Sequence, residues 1–286
     1  MPSLIDIRRR IRSVKNTQQI TKAMKMVSAA KLRRAQDRVI ASRPYAGLLR
    51  QVLGNVAAAV AADEQDGENP LLARRPEQRI LLVLITSDKG LAGAFNANLI
   101  KGAQRFAAER GGAELRMELI GRKGRDFFRK RGATIAGEHI GLAAKAAYGD
   151  TAAIARKAME MYRAEEIDAV YILYNEFKSV MAQRLTLARV LPMELPEQVA
   201  PIDYIFEQPA ADLLNALVPR YVELEFYRAV VESAAAEHAA RMTAMEAATT
   251  NAGEMIDKLT LFMNRVRQAS ITKEIIEVVS GAAAAE

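Results

Sequence analysis

From Leu217 to Val266 the chain sets one residue for burial at alternating steps of four and three: Leu217, Tyr221, Leu224, Arg228, Val231, Ala235, His238, Met242, Met245, Thr249, Ala252, Ile256, Leu259, Met263 and Val266. A stripe held that long on one helix face needs a second helix alongside it. The amino-terminal segment supplies one through Leu4, Ile7, Ile11 and Val14, then Ile20, Met24 and Val27. The two ends therefore predict an antiparallel coiled coil, left-handed if the seven-residue repeat sets its supercoil, and periodicity alone leaves two helices packed in an ordinary bundle as an equal alternative. Small residues fall where the helices would meet: Ala29, Ala30 and Ala35 on one, Ala235, Ala248 and Ala252 on the other.

The pattern predicts a first helix over 4–62, interrupted by no proline except Pro44; at 1.5 Å per residue it spans roughly 90 Å. Polar residues Asp63 to Pro70 end it, and a basic linker, Ala73 to Arg79, follows. Proline suits a first helical position and disrupts an interior one, so the second helix begins after Pro209 or at Pro219, with a kink or boundary expected near Asn215 to Pro219. From 210 it outruns the first helix by about a dozen residues, and its tip should project alone.

Between the helices the pattern changes. Ile80 to Ile85 reads as a buried strand, followed by a turn at Ser87-Asp88-Lys89-Gly90 and a helix around Asn96 to Arg110. Leu115 to Ile120, a basic helix at Lys123 to Arg131, a short strand near Thr134, a helix over Tyr148 to Ala164, and strands at Ala169 to Tyr174 and Arg184 to Val190 complete the set. Strands alternating with helices predict a parallel sheet. The expected fold is thus α/β: a long antiparallel coiled coil of the two terminal helices with an inserted Rossmann-like domain. The expected segments are 1–62 and 209–286, packed as one rod, and 73–195.

Composition narrows the chemistry. The chain has no Cys, which removes disulfides and thiolate metal sites, and only two His, His139 and His238. No apolar run approaches the roughly 18 residues of a membrane helix. The Arg-rich opening resembles a transit peptide in composition, but its pattern continues without a cleavable apolar core and reads as mature structure. Residues 1–50 carry thirteen Lys and Arg against Asp6 and Asp37, whereas 221–286 carry six against ten acids. Part of the basic face can be neutralised by the partner helix, and the rest calls for an acidic partner, phosphate or anionic lipid.

Candidate sites are sparse. Ser87 to Asn96 follows a strand and opens a helix, where a Gly-rich loop can cradle phosphate, yet it matches neither the P-loop nor the dinucleotide order, and a structural turn is the favoured reading. Carboxylate pairs such as Glu165-Glu166 and Glu223-Glu225 lack a neighbour that would shift them, so solvated faces are expected. His238 lies on the seam and reads as a packed interhelical residue, and His139 falls in a loop. The basic face of the first helix lacks the interleaved aromatics of a nucleic-acid reader and the bulky apolar residues of a membrane-surface helix. Two rivals stay open: an independent nucleotide binder using Gly90 to Asn96, and a basic coiled-coil nucleic-acid binder.

The run Ile20-Thr21-Lys22-Ala23-Met24-Lys25-Met26-Val27-Ser28-Ala29-Ala30-Lys31-Leu32, and at the other end Arg267-Gln268-Ala269 with Ile271-Thr272, Glu274, Glu277 and Gly281-Ala282, resemble the γ-subunit family of F-type ATP synthases. So do Thr86 to Leu91, Tyr174-Asn175 with Phe177, and Ala240-Arg241-Met242 with Ala244-Met245. The resemblance spans essentially the whole chain. It implies a non-catalytic rotor shaft without a cofactor, standing inside a ring of three α and three β subunits and resting on the proton-driven membrane c-ring beside subunit ε, with no nucleic-acid partner. It implies that Met24, with Lys22 and Lys25, faces an acidic loop of the β subunits. Arg241, Arg267, Gln268, Thr272 and Glu274 would make polar catch contacts with the ring. Val278 to Ala285 would form the apolar tip, and Tyr204 and Glu207 would meet the c-ring. The implied setting is the cytoplasmic face of a bacterial inner membrane, with membrane contact indirect through the c-ring. The absence of Cys departs from the redox-switched chloroplast members.

Overall fold

In the computed structural model, which describes residues 3–62, 69–195 and 207–283, every side chain from Ile80 to Ile85 is at most 1 % exposed. That burial is why the strand β1 (Arg79–Ile85) reads as an unbroken apolar run rather than an alternation. β1 pairs in parallel with β2 (Glu114–Ile120) on one side and β4 (Ala169–Phe177) on the other. β3 (Thr134–His139) extends the sheet in parallel beyond β2, and β5 (Gln183–Leu191) closes it antiparallel to β4, giving the order β3-β2-β1-β4-β5. The parallel core with helical crossovers agrees with the expected Rossmann-like domain.

The long terminal helices are α1 (Leu4–Ala62) and α6 (Ala210–Ala283); between them lie α2 (Phe95–Glu109), α3 (Arg122–Arg129), a single turn α4 (Leu142–Lys145) and α5 (Tyr148–Arg163). α2 turns Phe95, Leu99, Ala103 and Phe106 inward at helical spacing, against β1, β4 and β5. Gly102 permits the approach, since a Cβ there would lie 2.9 Å from the Leu185 side chain. α1 starts where Ser3 accepts the Asp6 amide on its Oγ at 3.2 Å and the Ile7 amide on its carbonyl, an N-cap with an acid in the first turn.

The chain divides into two compact units: residues 29–241, and residues 1–28 with 242–286. In the larger unit α1 buries Leu32, Ala35, Val39, Leu49, Leu53 and Val56, a heptad stripe. Charge contacts give the direction of pairing, with Lys31 near His238, Arg43 near Glu232 and Arg50 near Tyr221. As numbers rise on one helix they fall on the other, so the helices run antiparallel.

The expected boundary near Pro219 does not occur. α6 continues through it, with Leu214, Val218 and Val222 at 2 % exposure or less on either side. Core packing of the flanking turns outweighs one lost backbone bond. The single seam is also too simple a description of α6. Between Val222 and Ala236, Phe226, Ala229, Val230, Ser233 and Ala236 are as buried as Leu224, Val231 and Ala235. This segment is buried over most of its circumference, with Glu225, Tyr227 and Arg228 left partly exposed, as a helix is when it passes along a core.

Candidate functional site: partner-contact surfaces and the buried charges behind them

In the smaller unit, the stripe on α1 begins as expected with Ile7 buried and Leu4, Ile11 and Val14 half-buried, and then changes chemistry. Ile20 and Val27, expected at the interface, are 60 % and 56 % exposed; the residues turned inward are Gln18, Thr21 and Ser28. Thr21 and Thr249 hydroxyls meet at 2.8 Å. Each hydroxyl also has a carbonyl of its own helix in reach, Gln18 for Thr21 at 3.0 Å and Met245 for Thr249 at 2.7 Å, so either can be the donor across the gap. Gln18 Nε2 approaches the Thr249 carbonyl at 3.4 Å, over Gly253, where a Cβ would stand 3.2 Å from that nitrogen. Lys25 Nζ donates to Glu246 Oε1 at 2.6 Å. The heptad period overrode the residue type: keeping steps of three and four from Val14 lands on Gln18 and Thr21, not on Ile20.

The residues implied by the family resemblance fall as follows. Lys22 is exposed, Met24 half-buried, and Lys25 partly exposed and paired to Glu246. An open groove of about 370 Å³ is lined by Gln18, Gln19, Lys22, Lys25, Glu246, Thr249 and Thr250. Arg267, Gln268, Thr272 and Glu274 are all exposed on the distal part of α6; Thr272 Oγ1 donates to the Gln268 carbonyl at 2.9 Å and Ser270 Oγ to Glu274 at 3.2 Å. Beyond them Ile275, Ile276, Val278 and Val279 are between 57 % and 72 % exposed. Every residue from Ile271 to Gly281 is exposed, so the helix is bare as far as Gly281; Ala284 and Ala285 of the expected tip lie outside the described residues. Glu207 is exposed ahead of α6, whereas Tyr204 lies outside the described residues.

Arg241 closes the larger unit and is of a different kind. It is 8 % exposed and donates to Glu237 at 2.7 Å, to the carbonyls of Lys89 and Gly90 at 3.3 Å each, with His238 Nδ1 at 3.4 Å. Burial draws the His238 pKa down to about 4, helped by Arg241 and Lys31, so that imidazole is neutral near pH 7. The loop that Arg241 grips is held from within. Asn96 binds the Ser87 amide and hydroxyl at 3.0 Å, and Asp88 accepts the amides of Arg122 and Gly141 at 3.0 and 2.9 Å. What the loop offers to α6 is a pair of carbonyl oxygens, whereas a phosphate needs amide hydrogens. The arrangement supports the structural-turn reading.

Two clusters escaped the sequence. Glu118, inside β2 and 1 % exposed, accepts His139 Nε2 at 2.6 Å and Lys157 Nζ at 3.2 Å. His139 is the last residue of β3 rather than a loop residue, and Gly137 is required beside it, because a Cβ there would sit 2.0 Å from Glu118 Oε1. Burial opposes ionisation of Glu118, but His139 and Lys157 together hold its carboxyl below the usual range. Glu223, expected on a solvated face, is 8 % exposed and accepts Tyr148 Oη at 2.8 Å and Arg156 Nε at 2.7 Å. Neither buried acid has a sequence neighbour that announces its partner; both partners arrive from other elements.

No described helix is long and apolar enough to cross a membrane. A family model described as ATP synthase matches residues 3–285. The ATP synthase gamma chain of Solibacter usitatus is 78 % identical over 286 residues, covering 100 % of both chains. This chain belongs to the ATP synthase gamma-chain family. The gamma chain of Anaeromyxobacter sp. strain Fw109-5 is 53 % identical with 99 % of both chains covered. Among solved structures, a chain of the central stalk and c-ring of Tetrahymena thermophila mitochondrial ATP synthase is 26 % identical with a TM-score of 0.61, over 80 % of this chain and 99 % of that one. A chain from Euglena gracilis mitochondrial ATP synthase, 20 % identical, matches with a TM-score of 0.67 over 98 % and 94 %; at that identity the likeness speaks to the fold alone.

Proposed function

We propose that the chain is the central rotor shaft of an F-type ATP synthase, a non-catalytic subunit that carries torque between a proton-driven c-ring and three catalytic β subunits. The observation that carries this reading is the full-length identity of 78 % to a gamma chain, and the antiparallel pairing within each unit supports it. In this reading 1–62 and 209–286 act as the shaft and 73–195 as the α/β domain, with α, β, ε and the c-ring as partners. The location is the cytoplasmic face of a bacterial inner membrane, reached through the c-ring. Lys22, Met24 and Lys25 contact the β subunits; Arg267, Gln268, Thr272 and Glu274 make the polar catch with the ring; Tyr204 and Glu207 meet the c-ring. Arg241 belongs to the same contact set, though most of its donors serve the Lys89–Gly90 loop, so its effect on the ring runs partly through that loop.

Moving one catalytic site from about 99:1 to 1:99 between two states takes roughly 5.5 kcal/mol. A paired helix resists bending and twisting better than a single one, and contacts that break every turn cannot rely on large aromatic anchors. Exposed Arg267, Gln268, Thr272 and Glu274 meet that requirement. The test is expression with α and β subunits of a related synthase. One copy per three of each in an active complex, with Arg267→Glu lowering turnover several-fold, is the expected result. A free monomer that leaves their activity unchanged would overturn the reading.

A further inference from the structure

Helix α3 buries Gly124 and Phe128 and turns Arg122, Lys123, Arg129 and its C-cap Lys130 outward, all four exposed. Arg122 and Arg129 are seven residues apart, as are Lys123 and Lys130, two helical turns or about 10.5 Å. The face thus presents two parallel rows of two cations. Its one acid, Asp126, is engaged by Arg125 at 2.7 Å, and Arg131 covers the Phe127 ring at 3.6 Å. Among the described residues, no carboxylate forms an ion pair with Arg122, Lys123, Arg129 or Lys130. Arg122 and Lys123 also lie within electrostatic reach of Asp126, but that single carboxylate is shared with Arg125, and the surplus like charges repel one another in the free chain.

We propose that this face of α3 docks an acidic segment of a neighbouring polypeptide. The proposal rests on the chain working inside a multi-subunit complex and names a contact beyond those given above. A helix carrying Asp or Glu at positions i and i+7, or i, i+4 and i+7, repeats at the same 10.5 Å or so as the cations. A membrane surface fits less well, because an interfacial helix needs exposed apolar anchors, whereas Phe128 is 7 % exposed and Phe127 lies under Arg131. Nucleic acid fits less well too, since no exposed aromatic is interleaved for stacking. Exposed pairs of this kind act mainly on association rate and are weakened by salt.

The experiment is zero-length carbodiimide cross-linking of the assembled complex, read by mass spectrometry, with a parallel Arg122→Glu, Lys123→Glu, Arg129→Glu, Lys130→Glu variant. The expected result is an isopeptide link from Lys123 or Lys130 to an Asp or Glu of another subunit. The variant should assemble about ten-fold more slowly at low salt, a difference that shrinks as salt rises, with unchanged circular dichroism. If α1 lysines link to partners while Lys123 and Lys130 link only within the chain, and the variant assembles at the native rate, the docking proposal falls and the shaft reading stands. If phosphatidylglycerol vesicles shield Lys123 and Lys130 from amine labelling and the other subunits do not, the occupant is lipid and the proposal is equally overturned.

Discussion

Two buried glutamates pull stability in opposite directions with pH. Glu118 has its pKa lowered by folding, because His139 and Lys157 favour the ionised form by more than burial disfavours it. Its stabilisation is therefore complete above the unfolded-state pKa of about 4.3 and fades as pH falls through the lower folded value. Glu118→Gln should lower stability at pH 7 by about 2 kcal/mol, and the gap between variant and parent should close in acid; urea melts at pH 7 and pH 3.5 measure both. Glu232 is 8 % exposed, its Oε2 has no hydrogen-bond partner, and burial raises its pKa. Its contribution is best at low pH and declines as pH rises through the raised folded pKa. Glu232→Gln should raise stability at pH 7 by about 1 kcal/mol, and an unchanged or lower melting temperature would contradict that.

At the scale of elements, the polar stretch of the smaller unit trades adhesion for alignment. Thr21 and Thr249 can satisfy each other in one register only, as polar residues at coiled-coil seams do. Replacing both by Val should slow amide exchange in 18–28 and 245–253 several-fold while admitting a second helix register, detectable as doubled resonances. Arg241→Ala should raise deuterium uptake across Ser87 to Leu91, and Arg241→Lys should restore part of the protection, because one ammonium cannot span two carbonyls and Glu237 at once. These elements also show what could be read in advance. The limits of α1 followed from apolar periodicity and those of β1 from an unbroken apolar run, because burial on one face leaves a period and burial on both faces leaves none. Gln18, Thr21 and the second face of α6 did not, since a hydrogen-bonded polar pair can replace an apolar contact only when its partner is in place. Glu118 was hidden for the same reason: in Glu114–Ile120 it alternates like any solvent-facing acid, and the groups that bury it come from β3 and α5.

For the whole molecule, the apolar end of α6 is the feature that a chain on its own cannot satisfy. Ile275, Ile276 and Val279 are exposed together, and clustered apolar surface of this kind marks an interaction site or an aggregation hazard. Replacing all three by Ser should at least halve the binding of a hydrophobic dye by the isolated chain without changing its helix content. Unchanged dye binding would mean that the dye reports on another surface. The charge imbalance between the two ends was legible in composition, and so was the need for partners, but the identity of those partners entered only through long motifs and relatives. The contact between Arg241 and the Lys89–Gly90 loop carries an evolutionary consequence. Arg241 touches only main-chain oxygens there, so this contact places a demand on the arginine and none on the side chain at Lys89. A lineage that lost the arginine would lose the contact, whereas any pressure on Lys89 must come from something other than this contact.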